Sequence, residues 1–503
     1  MVFMSLDEIR SLRIDKLNKL KDKGENPYPA KSVYSNSISE VLNNFQKFSK
    51  KRNPLKIVGR ILSLRSHGGS IFFDIYDGST AFSGSKKNQR EDHIQAYLKK
   101  DIVGEDSFSF FEIAADIGDF VNVEGNLFLT KKGEKSVKVS AWRIISKSIR
   151  PLPEKWHGLS DVEERFRKRH LDLLMNGEIK ARFMIKSQII KEIRDFLLKE
   201  DFYEAETPIL HPIAGGAIAE PFVTHHNALD TNFYLRIAPE LYLKRLLVGG
   251  FKKVFEIGRS FRNEGIDSTH NPEFLMAELY EAYRDSEYLR EFSEKLFKTI
   301  IKKVFKKDFI EYQREKIFFS KKFRVLTFFD AIKRYALITN PESANRSEFV
   351  IKAKQFGVEI KDSDTKEKIA DNIFKKLCRP KIIQPTFLIN HPILISPLAK
   401  SLEGNKNLAD RFQLIAGGLE LVNGYSELNN PLEQAERFKG QEEIRKRGDL
   451  EAVEPDWDYV EVMEYGMPPA AGMGIGIDRL VMLLTDTQNI RETVLFPTMR
   501  PKN

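Results

Sequence analysis

Apolar positions along this chain follow two rhythms, and the switch between them outlines its organisation. Residues 1–52 are polar and helical in pattern, broken only by NPYPA at 26–30, and the opening MVFMSLDEIRSLRIDKL mixes acids and bases at helical spacing as a surface helix does. Between 55 and 145 the rhythm becomes a two-residue alternation: LKIVGRILSLR, SIFFDIYDG, HIQAYLKK, DFVNVEGNLFLT and KSVKVSAWRIIS are short β-rich runs separated by Gly, Asp and Lys clusters. Five such runs in so short a span predict a small barrel better than a sandwich. AFSGSKKNQRED (81–92) reads as a polar loop hanging from it.

A proline-bearing connector, IRPLPEKWHGLS (149–160), marks a domain boundary. The expected units are a helical extension at 1–52, an oligonucleotide-binding type of barrel at 53–148 and a larger domain at 149–503. Within the last, Ile185, Ile189, Ile193 and Phe196 form a helical stripe widened by Ile190 and Leu197, and Pro208 then makes DFYEAETPIL extended. NFYLRIAPE (232–240) reads as extended and LYLKRLLVGG (241–250) as helix. Two strand-like runs flank a long loop at 263–272, a length that usually signals function. Residues 290–376 read as largely amphipathic helix with a Lys-rich surface, part of it an inserted subdomain around 330–380. Strands return at 384–392 and 410–428, and a glycine staircase, GMGIGIDRLVMLL (472–484), leads into an apolar helix.

Composition narrows the class. The chain has 503 residues, more than one core usually fills, with 41% hydrophobic and 30% charged residues. No run approaches the ~18 uncharged apolar residues of a membrane helix, so no membrane association is expected. The start lacks a basic segment followed by an apolar stretch, so no secretory signal is expected either. Cys378 is the only cysteine, which excludes an internal disulfide and a cysteine-cluster metal site, and fits a reducing cytoplasm. The net charge of +9 permits an anionic partner without demanding one.

Two arginines stand in settings suited to phosphate. Arg262 ends the strand-like run KVFEIGRSFRNEG, and Arg479 opens the helix after the glycine staircase, where unpaired backbone N–H groups favour anions. Each could equally be a structural ion pair, Arg479 with Asp478 or Arg262 with Glu264. In EFLMAELYEAY the strand period puts Phe274, Met276, Glu278 and Tyr280 on one face, and in LVNGYSEL it aligns Asn423, Tyr425 and Glu427. Buried together, these acids would invite a cation with two positive groups; the competing reading has them facing water or paired with Lys244 and Arg245. His225 and His226 read as structural. HExxH, Walker A and dinucleotide signatures are missing, which argues against P-loop and Rossmann enzymes.

Taken together, these segments resemble the class II lysyl-tRNA synthetases over nearly the whole chain. FYEAETPIL is similar to the first class II motif, FEIGRSFRNEG through HNPEFLMAELY to the second, and GIGIDR to the third, while RIAPELYLKRLLVGG and NGYSELN resemble the lysine-specific branch. The resemblance implies an α+β chain: an N-terminal anticodon-binding OB-fold barrel, a catalytic antiparallel sheet flanked by helices, and a homodimer. It implies ATP- and Mg2+-dependent joining of L-lysine to tRNA(Lys) through a lysyl-adenylate. Arg262 and Arg479 would be catalytic and hold ATP, with Glu264, His270, Asn271, Phe274 and Glu420. Gly216, Glu240, Glu278, Tyr280, Asn423, Tyr425 and Glu427 would bind lysine. In the barrel Arg65, Phe72, Gln95 and Glu134 match anticodon-reading positions, although Phe73 is equally available to face outward.

This chain departs from the family pattern at Gln413, where an acid that serves magnesium together with Glu420 is usual. Gln413 and Glu420 also fall on opposite strand faces, so a twist or bulge is needed to unite them. Glu220 stands where a basic residue is common. Competing functions are an aspartyl- or asparaginyl-tRNA synthetase, disfavoured by acids at 278 and 427; a lysyltransferase, which would lack the barrel; and a non-catalytic RNA-binding paralogue, disfavoured by Arg262, Glu264, Glu420 and Arg479.

Overall fold

Five strands close the N-terminal barrel because their alternation puts one apolar face inward: β1 (Leu55–His67), β2 (Ser70–Tyr76), β3 (Ile94–Lys99), β4 (Phe120–Leu129) and β5 (Lys135–Ser146), in the order β1-β2-β3-β5-β4 with β4 returning to β1. The computed structural model describes residues 4–50, 53–79, 93–153, 161–217, 219–446 and 454–501; the expected loop at 81–92 and residues 154–160 of the expected connector lie outside these. Ile57, Ile71, Phe73, Ile75, Val121 and Val139 are fully buried in the barrel. Helix α2 (Glu105–Ala114), which follows α1 (Leu6–Asp22), adds Phe111 to this core, 5.0 Å from the Phe73 ring and 4.9 Å from Trp142. Gly125 sits at a register shift between β4 and β5, where a Cβ would lie 2.1 Å from the Lys138 carbonyl oxygen, so only glycine permits the close approach.

The chain forms two compact units, Met1–Ala181 and Arg182–Asn503. The second is built on eight strands: β6 (Tyr203–Glu204), β7 (Lys253–Phe261), β8 (Glu273–Ala282), β9 (Arg324–Thr327), β10 (Thr386–Ile389), β11 (Arg411–Ala416), β12 (Leu419–Ser426) and β13 (Ala470–Gly476). Their order is β9-β10-β11-β12-β13-β8-β7-β6. The sheet is antiparallel except at its edges, where β9 runs parallel to β10 and β6 to β7. One face is covered by residues 182–199 of α3 (Gly177–Lys199), by α5 (Ser286–Phe305) and by the C-terminal α10 (Ile477–Leu484), so that Ile189, Ile193, Leu296, Ile300 and Val481 pack on Phe255, Leu279, Phe412 and Ile475. The intervening labels belong to α4 (Glu240–Val248), α6 (Phe328–Ala336), α7 (Arg346–Gln355), α8 (Lys366–Ile373) and α9 (Trp457–Glu464).

Parallel strands need a long crossover, and α6, α7 and α8 supply it between β9 and β10 around a core of their own that includes Phe328, Phe349, Ile369 and Phe374. The helical reading of 290–376 needs correction before this point. Phe309–Tyr312 and Glu315–Phe318 pair as a hairpin, and Arg324–Thr327 is a strand. Their turn uses Gln313 and Arg314 at φ of 50° and 68°, a left-handed pair without the Asn-Gly signal that would have announced it.

Strand parity separates the two neighbouring phenylalanines of β2: Phe73 is fully buried, whereas Phe72 is half-buried on the outer wall. Replacing Phe73 by Ala is therefore expected to destabilise the barrel by about 3–5 kcal/mol. Phe72→Ala should cost about 1 kcal/mol or less in the same denaturant-unfolding measurement.

Candidate active site

The sheet face opposite the buried helices borders a cavity of about 970 Å3. The glycine staircase explains how it can exist. On β13, Met473 and Ile475 point into the core while Gly472, Gly474 and Gly476 line the cavity. Gly472 lies between Tyr280 of β8 and Tyr425 of β12, and Gly474 between Glu278 and Asn423. A Cβ on Gly472 would come within 2.2 Å of the Tyr280 ring and 2.5 Å of Glu427 Oε1. Three small residues thus form a floor between two rows of functional side chains.

One end of the cavity is acidic. Glu240, at the start of α4, lines it with Glu278 and Tyr280. The Tyr425 hydroxyl donates to Glu240 Oε1 at 2.5 Å, and the Tyr280 hydroxyl to Glu278 Oε2 at 3.2 Å. Burial, reinforced by the neighbouring Glu240 carboxylate, pushes the Glu278 carboxyl up to about 8, against the opposing pull of Tyr280 and Arg262. Glu427 does not line the cavity; it lies behind Gly472, fully buried. Its Oε2 is 2.6 Å from Lys244 Nζ, an ion pair without hydrogen-bond geometry, and its Oε1 has no partner. Lys244 also reaches Glu240 Oε1 at 2.6 Å. The reading that Lys244 pairs with the strand acids therefore holds for Glu427 and not for Glu278, while Arg245 pairs with Asp456 instead, at 3.0 Å. When all are ionised, three carboxylates and one ammonium leave an excess of negative charge.

Gly216 borders this end at φ +94°, a conformation strained for any side chain. Asn423 is held by Arg411, whose Nε donates to its Oδ1 at 2.8 Å. Arg411 was not singled out from the sequence, although strand parity puts it on the same face as Gln413.

The other end is cationic. Arg262 and Arg479 both line it, and neither forms an ion pair among the described residues. Asp478 is engaged elsewhere: it binds Lys186 Nζ at 2.5 Å and accepts from the backbone N–H of Leu275 at 2.8 Å, tying α10 to α3 and β8. The Arg262 guanidinium stands 5.1 Å from the Phe274 ring centroid, and its buried Nε has no partner. Arg479 contacts His270 Nε2 at 3.0 Å, while His270 Nδ1 meets Asp267 at 2.8 Å. Burial lowers the Arg479 pKa, with Glu420 opposing it, yet a guanidinium stays charged at neutral pH. Exposed Glu264, buried Asn271 and half-buried Phe274 complete this wall. Asn271 Nδ2 donates to the Glu273 carbonyl at 2.6 Å, leaving its buried Oδ1 without a partner. Arg379, from the end of the helical crossover, is a further guanidinium here that no motif announced.

A bulge resolves the mismatch between Gln413 and Glu420. On β11 and β12 the register runs Gln413 to Asn423 and Leu414 to Val422, then Ile415 to Glu420, leaving Leu421 as the extra residue. The parity flips and both side chains reach the cavity. Gln413 Oε1 lies 3.2 Å from His391 Nε2, and burial, then the Arg411 charge, hold that histidine down to about 3, so it is the neutral ring that meets the amide. Exposed Glu220 offers its backbone carbonyl to the Asn263 N–H at 2.8 Å. His225 and His226 sit exposed on a small three-stranded ribbon and do not line the cavity.

On the barrel, Phe72 stacks on Tyr97 with centroids 4.8 Å apart, and Tyr97 meets Phe128 at 5.8 Å, an outer-face aromatic row that the sequence reading recognised only in Phe72. Arg65 lies opposite Phe72 in the register, exposed and 3.6 Å from Asp74. Gln95 Oε1 accepts from Ser136 at 3.0 Å, and Glu134 directly precedes the adjoining strand β5.

Comparison with known proteins agrees with this geometry. Residues 161–500 match the tRNA synthetases class II (D, K and N), and residues 55–145 match the OB-fold nucleic acid binding domain. The chain is 45% identical to a lysine–tRNA ligase of Carboxydothermus hydrogenoformans, with 100% of each chain covered. It is 43% identical to that of Moorella thermoacetica, over 99% of this chain and 98% of the relative, and 44% identical to that of Clostridium botulinum, over 99% and 96%. A cavity with free guanidinium groups at one end and surplus carboxylates at the other, in a chain that also carries an OB-fold barrel, thus belongs to a member of the lysine–tRNA ligase family within the class II tRNA synthetases.

Proposed function

We propose that this chain joins L-lysine to tRNA(Lys) in two steps within the cavity. The observation that carries this reading is the polarity of that one space: two guanidinium groups without ion-pair partners among the described residues line one end, and Glu240 and Glu278 line the other, with Glu427 buried behind it and sharing Lys244 with Glu240. In the first step a carboxylate oxygen of lysine attacks the α-phosphorus of ATP. The P–O bond to the β-phosphate breaks, and its electrons leave with pyrophosphate. The nucleophile is already ionised at neutral pH, so positioning and charge stabilisation suffice and no strong base is needed. The terminal ribose hydroxyl of the tRNA then takes the lysyl group and releases AMP.

In this reading Arg262 holds the α-phosphate, Phe274 stacks on adenine, and Arg479, oriented by His270, takes the far phosphate. Glu264 and Asn271 border the nucleotide. Glu240 and Gly216 receive the α-ammonium, and Glu278, Tyr280, Asn423 and Tyr425 enclose the side chain, with the Glu427 charge acting from behind Gly472. Mg2+ usually keeps several waters and binds through one or two carboxylates plus substrate phosphates, a requirement Glu420 meets. Gln413 is an uncharged amide whose oxygen faces His391, which makes it a poor metal ligand. When bound, Mg2+ supplies neutralisation of the polyphosphate charge.

The barrel reads the anticodon through Phe72 stacking and the polar groups of Arg65, Gln95 and Glu134, as single-stranded recognition requires. Ile209 and Leu210 are about half exposed beside the extended segment that precedes β7, at 47% and 45%, and a second copy of the chain is the partner proposed to cover them. No helix among the described residues is long and apolar enough to cross a membrane, and we place the reaction in the cytoplasm.

Lysine-dependent exchange of labelled pyrophosphate into ATP tests the reading; a folded, magnesium-supplied protein that shows none would instead be an RNA-binding paralogue. Glu427→Gln is expected to raise the KM for lysine by about tenfold or more while moving that for ATP less than about twofold, because a buried partner of the ammonium is lost. Equal changes in both would remove Glu427 from the amino-acid subsite. Phe72→Ala should weaken tRNA charging and leave pyrophosphate exchange intact, and loss of both would make Phe72 a structural residue. Because Glu278 and Glu427 are both pushed up to about 8, each holds a proton at lower pH, so lysine affinity should rise as pH increases from about 6.5 to 8.5. A flat profile in a titration at fixed ATP would contradict this.

A further inference from the structure

We infer that Lys244 is the positioning residue that sets the charge of the amino-acid subsite, making it short by two positive charges and so selective for a ligand with two ammonium groups. The inference rests on the proposed lysine specificity and adds a residue to it.

Lys244 is on α4, one turn after Glu240, with its ammonium wholly buried. Its Nζ lies 2.6 Å from Glu240 Oε1 and 2.6 Å from Glu427 Oε2. The rings of Tyr425, Tyr280 and Tyr459, the last on α9, surround it at 5.4, 5.9 and 6.0 Å. Glu278 is the remaining acid of the subsite. Burial alone would strip the Lys244 proton, but Glu240 and Glu427 outweigh it and hold the ammonium charged.

The pairing is one-sided. Lys244 takes Oε2 of Glu427, while Oε1 has no partner and lies buried directly behind Gly472, a glycine that lines the cavity. Three carboxylates against one ammonium leave a net charge of minus two when all are ionised. The α- and ε-ammonium groups of a basic amino acid supply two positive charges, and its carboxylate faces Arg262. A neutral amino acid leaves one buried carboxylate uncompensated, which burial penalises heavily. Without Lys244 the surplus would be three, and Glu427 would hold its proton to higher pH.

The test is Lys244→Met in the full-length protein, read by lysine-dependent pyrophosphate exchange, with ATP binding as the check on folding. The KM for lysine is expected to rise at least about tenfold with the KM for ATP within about twofold, and the midpoint of the lysine-affinity pH profile should move upward by about a unit. The double variant K244M/E427Q removes the ion pair as a unit, so its KM for lysine should stay within about twofold of that of E427Q alone. Unchanged lysine KM and pH midpoint in K244M, or single effects that simply multiply in the double variant, would overturn the inference. Where K244M does not bind ATP, the comparison of the double variant with E427Q decides. Absence of lysine-dependent exchange in the wild type would instead sink the proposed function itself.

Discussion

The constraint on which this site depends is that buried charges must be compensated. Glu240, Glu278 and Glu427 are each less than 10% exposed, and taking a carboxylate out of water costs several kcal/mol unless a partner restores the lost solvation. Lys244 compensates part of that charge, and the cavity holds the remainder as a standing affinity for cations. The acids sit where they are disfavoured in the empty protein, and a ligand of matching charge relieves them.

The cationic end obeys the mirror rule. Arg262 and Arg479 keep their charge at neutral pH whatever their surroundings, so the fold had only to leave them without carboxylate partners. It does so by engaging Asp478 with Lys186 and the Leu275 backbone, and by letting His270 orient Arg479 while Asp267 orients His270. Both ends rest on the same glycine-lined strand. Because Gly472, Gly474 and Gly476 bring no side chains to the cavity, residues of β8 and β12 can converge across β13 without filling the space between them.

Departures from the family pattern have local physical consequences. An amide at Gln413 removes one charge beside Glu420, and neutral His391 holds the amide oxygen, so Glu420 is the one carboxylate of this pair. The bulge at Leu421 is what gives Glu420 its place at all. Nothing in the structure explains why Glu220 is acidic.

Much of this was legible in the sequence because period and parity are local properties. The barrel strands, the α3 stripe, the shared face of Glu278 and Tyr280, and the glycine staircase follow from side-chain alternation and from which residues tolerate close packing. The choice between Phe72 and Phe73 required knowing which face of β2 turned inward, and the hairpin at 309–318 carried no turn residue to mark it. The bulge could not be read either, since a register shift exists only between paired strands. Above all, tertiary structure decided the electrostatics. Lys244, Glu240 and Glu427 become one charge system only when α4 lies against the end of β12, because Coulomb energies depend on distance and burial, which the order of residues does not specify.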